Sequence, residues 1–192
     1  MKNNMAFTLE SHEGILRVLK TECTIYPGFN PEKITKEQGD NIIGKNYLAI
    51  WDTGATSSVI TKRVSDELRL KTTGFSVMKH AGGEDEVPMH IVNIGLPNKV
   101  GFEFVSVSEG KIPDADVLIG MDIITQGDFI ITNTEGKTTF SFRIPSIEKI
   151  DFNEVNNEFM HYKKIHEAWL KHGNNKCPCS SGKTWDNCHG KK

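Results

Sequence analysis

Tyr47-Leu48-Ala49-Ile50-Trp51-Asp52-Thr53-Gly54-Ala55-Thr56 decides how this chain is read. An almost wholly apolar run ends abruptly in an acid, a hydroxyl and a glycine. The run predicts a buried strand, covered on both faces. Gly54 permits a sharp turn there, because no Cβ restricts its backbone. Asp52 then falls where a strand leaves the core, half enclosed and still reachable by water. A carboxylate in that position is costly unless it is hydrogen-bonded or has chemical work to do.

Working outward, Asp116-Val117-Leu118-Ile119-Gly120-Met121-Asp122 is a second apolar run into glycine, with a short helix predicted over Met121 to Thr125. Between the two runs, strand-like arms at Phe75 to Lys79 and Glu86 to Ile94 flank the tip Ala81-Gly82-Gly83-Glu84-Asp85, which reads as a hairpin. Pro88 lacks a backbone donor and predicts an edge strand for the second arm. Further strands are expected at Gly14 to Thr24, at Val100 to Val107 with Val100, Phe102 and Phe104 on one face, and at Asp128 to Asn133 and Lys137 to Arg143. Thr61 is placed to cap a helix carrying Val64 and Leu68. Many short strands with Gly-bearing turns predict a mainly β, closed or sandwich-like body.

The Asp-Thr-Gly-Ala turn, the later Leu-Ile-Gly strand and the hairpin between them resemble retropepsin-like aspartic proteases, the single-lobed relatives of pepsin. The resemblance covers residues 12–145 and implies a closed acid-protease barrel and a peptide-bond hydrolase. In that chemistry two carboxylates share one proton, one activating a water as general base and the other protonating the carbonyl oxygen. With 192 residues and one Asp-Thr-Gly turn, the second carboxylate must come from another copy. A two-fold homodimer would set Asp52 opposite Asp52 of its partner. The resemblance further assigns Thr53 to a hydrogen bond across the dimer and Gly54 to the close approach at the catalytic turn. It assigns Ala55 to the substrate floor, and Ala81, Gly82 and Gly83 to a flap that closes over an extended peptide or protein substrate. Gly120-Met121-Asp122 is by the same resemblance a supporting element, and catalysis needs no cofactor. Trp51 is bulkier than the family's usual aliphatic residue, Met121 stands where viral members carry Arg, and Thr56 replaces an acid. These departures motivate an alternative: a catalytically silent dimerisation or peptide-binding adaptor. A lone Asp-Thr-Gly is also an ordinary Asx-type turn.

Pro145 marks a boundary, after which the periodicity changes. Phe152, Val155, Phe159, Tyr162, Ile165 and Trp169 form one stripe of an amphipathic helix within 151–173, capped by Asp151 or Asn153 and suited to a dimer or docking seam. The segment 174–192 carries Cys177-Pro178-Cys179 and Cys188-His189, two close pairs that can surround one Zn2+ ion tetrahedrally. It resembles the SEC-C motif, which implies a structural zinc and recruitment of a chaperone, ribosome or other protein partner. The remaining histidines, His12, His80, His90, His161, His166 and His172, lack ligand spacing and are taken as surface or packing residues.

Composition bounds the rest. Hydrophobic residues make up 37% and charged residues 25%, as in soluble globular proteins. A net charge of −2 argues against a general nucleic-acid footprint, and Lys183, Lys191 and Lys192 form only a small basic cluster. No apolar run reaches membrane-spanning length, and the first residues lack the apolar core of a signal peptide. A cytoplasmic location is therefore expected. Three of the four cysteines crowd into the tail, which points to a metal rather than a disulfide framework.

Overall fold

The computed structural model describes residues 5–12, 14–80 and 83–191. It forms two compact units, Met1–Ile147 and Glu148–Lys192. The first unit contains β1 (Met5–Glu10), β2 (Lys20–Pro27), α1 (Lys36–Asp40), β3 (Lys45–Trp51), β4 (Val59–Ile60), α2 (Lys62–Glu67), β5 (Gly74–His80), β6 (Gly83–Gly95), β7 (Gly101–Glu109), β8 (Val117–Ile119), α3 (Met121–Ile124), β9 (Asp128–Thr132) and β10 (Thr139–Ile144). The second contains α4 (Phe152–Leu170). No described helix is long and apolar enough to cross a membrane.

Six strands run in the order β2-β3-β8-β4-β7-β6, and the β2–β6 pairing closes them into a barrel. β3 and β8 are parallel neighbours, with Trp51 opposite Ile119, so both apolar runs end side by side. β3 alternates cleanly: Tyr47, Ala49 and Trp51 are buried, while Leu48 is exposed. The expectation of a strand covered on both faces is corrected accordingly. A barrel strand has one face on the core and one toward solvent.

A second sheet, in the order β1-β10-β9, packs its aromatics against Trp51. The Trp51 ring lies 5.0 Å from Phe140, 5.1 Å from Phe142, 5.7 Å from Phe129 and 6.2 Å from Phe7. Each such aromatic pair adds roughly 0.5–1.5 kcal/mol beyond area burial. Its indole N–H donates to Thr21 Oγ1 at 3.0 Å. The bulk of Trp51 is thus absorbed by the core and does not crowd the adjoining turn.

Several local expectations change with the register. β1 was not anticipated, and it begins the barrel unit well before residue 12, pairing Met5 with Ile144 through Glu10 with Thr139. The strand expected from Gly14 starts only at Lys20, because the loop before it is fastened to Thr138: Thr138 N–H donates to Gly14 O, and Leu16 N–H to Thr138 Oγ1. Ile15 and Val18 are left exposed. Phe104 lies outside, not inside, because the β6–β7 register shifts between Val92 and Ile94. A one-residue slip turns every following side chain to the other face. β6 pairs with β2, β5 and β7, but its residues 83–88 pair only with β5, so Pro88 stands, as expected, on a stretch with an open edge. Thr61 precedes α2, but its hydroxyl makes no capping bond.

In the second unit Asp151 caps α4, accepting from the N–H groups of Asn153 and Glu154. Tail residues pack on one side of this helix. Trp185 stacks on His166 with ring centroids 4.6 Å apart, and also meets Phe159 at 5.9 Å. Tyr162 meets His189 at 4.7 Å. The middle of the apolar stripe is therefore covered within its own unit, while Phe152 stays exposed.

Candidate active site and metal cluster

The turn after β3 is assembled by what it touches. Asp52 N–H donates to Ile119 O at 3.0 Å, continuing the β3–β8 ladder by one residue. The Asp52 carboxylate is half-buried, and Oδ1 accepts the Gly54 N–H at 2.8 Å. Ala55 N–H donates to Asp52 O, closing the turn. Thr53 and Gly54 are exposed, and Ala55 is half-buried beside them. Asp52 is thus hydrogen-bonded through one oxygen and reachable by solvent, the state a working carboxylate needs.

The residues around Gly120 hold that turn in place. Met121 N–H donates to Ala55 O at 2.8 Å and Asp122 N–H to Thr56 O at 3.2 Å. Asp122 accepts the Ser58 N–H at 3.0 Å and the Ser58 hydroxyl at 2.8 Å, while Ser58 Oγ accepts the Gly120 N–H at 3.1 Å. A Cβ on Gly120 would lie 2.6 Å from the Ser57 carbonyl carbon, so only glycine admits this approach. Asp122 spends both carboxylate oxygens on bonds within this clamp. Ser58 escaped the sequence reading, because its partner lies 64 residues away and no local pattern marks it.

The hairpin anticipated between the runs is formed by β5 and β6, with His80 paired to Gly83. Ala81 and Gly82 lie outside the described residues, whereas Gly83 opens β6 with a positive φ of 132° that favours glycine. Two cavities lie elsewhere: one of 640 Å³ lined by Met5, Phe102, Gln126 and Ile144, and one of 510 Å³ lined by Lys62, Val87, Glu109 and Lys111. Neither includes Asp52.

The C-terminal ligand set comes together as expected. One donor atom from each of Cys177, Cys179, Cys188 and His189 lies within 4.8 Å of all the others. Cys177 Sγ is 3.2 Å from His189 Nδ1, Cys179 Sγ is 3.5 Å from Cys188 Sγ, and Cys188 Sγ is 3.4 Å from His189 Nδ1. A tetrahedral site with metal–sulfur bonds of ~2.3 Å has edges of roughly 3.5–3.8 Å, so this set fits a single ion. The Ser181 hydroxyl and backbone bring the Cys179 thiol down to about 6, which favours the metal-binding thiolate. Burial pushes the Cys177 thiol up. Cys23, by contrast, is buried in the barrel and pushed up to about 12, an inert core thiol. A Cβ on Gly190 would strike the Trp185 ring at 2.2 Å, so glycine is required where this ring covers the backbone.

Comparison with known proteins follows the same lines. The family model described as gag-polyprotein putative aspartyl protease matches residues 41–126, from just before β3 to just after α3. That match falls within the closed six-stranded barrel of the first unit. Among solved structures, a retropepsin-like aspartic protease from Rickettsia conorii shares 13% identity, covering 73% of this chain and 95% of that one, with a TM-score of 0.44. The Simian Foamy Virus (mac) protease shares 14% identity, covering 54% and 89%, with a TM-score of 0.36. No match is found among curated proteins. The matched segment contains both apolar runs, the hairpin, Asp52 and Asp122.

Proposed function

We propose that this protein is an aspartic endopeptidase that works as a homodimer, with Asp52 of each copy forming the catalytic dyad. The observation that carries the reading is the half-buried, singly hydrogen-bonded Asp52, on a turn stapled to Gly120 and Asp122 inside the segment matched by the aspartyl-protease family model. Two such carboxylates facing each other across a two-fold axis would share one proton, since like charges about 3 Å apart do not both ionise. The ionised member takes a proton from water as that water attacks the peptide carbonyl. The protonated member donates to the carbonyl oxygen. Gly54 N–H holds one oxygen of Asp52 and fixes the carboxylate plane. Exposed Thr53 is assigned to the bond between the two turns, Ala55 to the substrate floor, and Ala81, Gly82 and Gly83 to the hairpin over the peptide.

In the same proposal the two units divide the labour. The barrel cleaves, and the C-terminal unit recruits a chaperone, ribosome or other protein partner. Cys177, Cys179, Cys188 and His189 would hold a structural Zn2+, whose role is to organise the tail, since protein donors fill all four positions. Trp51 no longer favours the silent-adaptor alternative, because its side chain is spent in the aromatic core.

The test is Asp52→Asn, assayed with a peptide library between about pH 4 and 7, where coupled carboxylates change protonation. The wild-type chain should cleave and the variant should not, and the active species should have the mass of a dimer. Cleavage that survives the substitution would end the proposal.

A further inference from the structure

His90 was read from the sequence as an ordinary surface or packing residue, yet it is 2% exposed and bonded at both ring nitrogens. It sits at a decisive place on β6. Residues 83–88 of that strand pair only with β5, whereas from Met89 onward the strand also pairs with β7. His90 is therefore at the root of a two-stranded ribbon that leaves the barrel. Such a ribbon is marginal alone, so its attitude is set by what grips its root.

Two separate segments bond this ring, and a third joins them through Glu109. Nδ1 is 3.0 Å from Lys71 O, in the stretch leading into β5. A carbonyl only accepts, so Nδ1 donates to it. Nε2 is 3.0 Å from Glu109 Oε1, on the last residue of β7. The same oxygen is 2.5 Å from the Ser65 hydroxyl, on α2, which also lies 2.9 Å from Lys62 O. Beside it, Thr73 N–H donates to Met89 O at 2.8 Å. His90 and Ser65 are 2% and 5% exposed, while the Glu109 side chain is 16% exposed and borders the 510 Å³ cavity. An apolar cluster would fill this space at least as stably, but it would not fix direction as hydrogen bonds do.

We propose that the His90–Glu109–Ser65 network anchors the β5–β6 hairpin at the angle peptide capture requires, making these three positioning residues for substrate binding. The proposal rests on the peptidase reading for its functional half, because the hairpin matters only if it lies over a peptide. Its structural half stands alone. Gln at position 90 is too short to reach Lys71 O and Glu109 together, and Ala at position 65 removes the bond from α2.

The experiment compares His90→Gln and Ser65→Ala with the wild-type chain by amide hydrogen exchange and by cleavage kinetics. Amides of Phe75, Val77 and Val87 in the hairpin should exchange at least about tenfold faster, while those of Ile25 and Phe142 in the body keep their protection. KM should rise about fivefold or more with kcat within about threefold, the signature of lost binding without lost chemistry. A merely structural role would lower the active fraction and kcat and leave KM alone. Unchanged hairpin exchange overturns the anchor, whatever the activity. Faster hairpin exchange in a chain whose wild-type form cleaves nothing supports the anchor and removes the peptidase reading instead. Faster exchange with KM unchanged refutes the role in capture.

Discussion

Gly120→Ala is the most direct probe of how the Asp52 turn is held. Gly120 has φ −95° and ψ −173°, a conformation open to any residue, so no backbone penalty enters. The cost is steric alone. The added Cβ would lie 2.6 Å from Ser57 C, 2.7 Å from Ser57 O and 3.0 Å from Ser58 N, all backbone atoms, against an ordinary contact of 3.4 Å or more. The turn must retreat by 3.4 − 2.6 = 0.8 Å. That motion would draw Ala55 O away from Met121 N–H, now 2.8 Å, and Thr56 O away from Asp122 N–H, now 3.2 Å. Overpacking costs roughly 1–3 kcal/mol. Each of the two weakened bonds adds about 1 kcal/mol, for roughly 3–5 kcal/mol in all. At about 2–4 °C per kcal/mol for a chain of this size, Tm should fall by roughly 6–20 °C. The folded remainder should still lose about 10²-fold in kcat, because a shift near 1 Å at a catalytic group has that effect. Thermal melts by circular dichroism and peptide cleavage well below Tm measure the two parts. A Tm within about 2 °C of wild type would refute the steric argument. A normal kcat in a destabilised variant would show that Asp52 does not depend on this clamp.

Three other outcomes follow from the coordinates. Trp51→Phe should cost about 1–3 kcal/mol in denaturant unfolding beyond its lost area, because the Thr21 hydroxyl, 3% exposed, loses its donor; adding Thr21→Val should recover part of that cost. Adding Zn2+ to the metal-free chain should raise the helical signal at 222 nm and a chelator should reverse the gain, since a 19-residue helix with mostly exposed side chains is marginal without the Trp185 and His189 contacts; an unchanged spectrum would show that α4 stands without a metal at Cys177, Cys179, Cys188 and His189. The Ser146 hydroxyl, then Arg143, then the Ile147 N–H hold the Asp128 carboxyl at about 2, below its usual 3.8. The folded state therefore binds fewer protons there than the unfolded state. This contribution is complete above pH 3.8 and is lost as pH falls toward 2. Asp128→Asn should be less stable than wild type at neutral pH, and the gap should close on acidification through that window.

The legible part of the fold was the part written in short stretches. Asp52-Thr53-Gly54 and Ile119-Gly120 each announce a strand ending in a turn, since apolar runs and glycines act on their own neighbours. The cysteine pairs announce a ligand set for the same reason, because their spacing is local. Phe104 misled, because a bulge depends on the partner strand, which a single strand does not name. β1 carries a short alternation, Met5, Phe7 and Leu9 against Ala6, Thr8 and Glu10, that the reading passed over, and its worth lies in Phe7 meeting Phe140 and Phe142. Ser58 with Asp122, and His90 with Glu109 and Ser65, bind residues 19 to 64 positions apart.

The amino-acid order alone determined a β-rich chain with one acid-bearing turn, a glycine-tipped hairpin and a terminal cluster of soft ligands. Only the folded chain decided which face each strand shows, that Trp51 belongs to the core, and that Asp122 is bonded to Ser58. The division has a physical cause. Turn geometry and ligand spacing are set by a few bonds along the backbone, whereas register, burial and long-range hydrogen bonds depend on which distant segment arrives alongside.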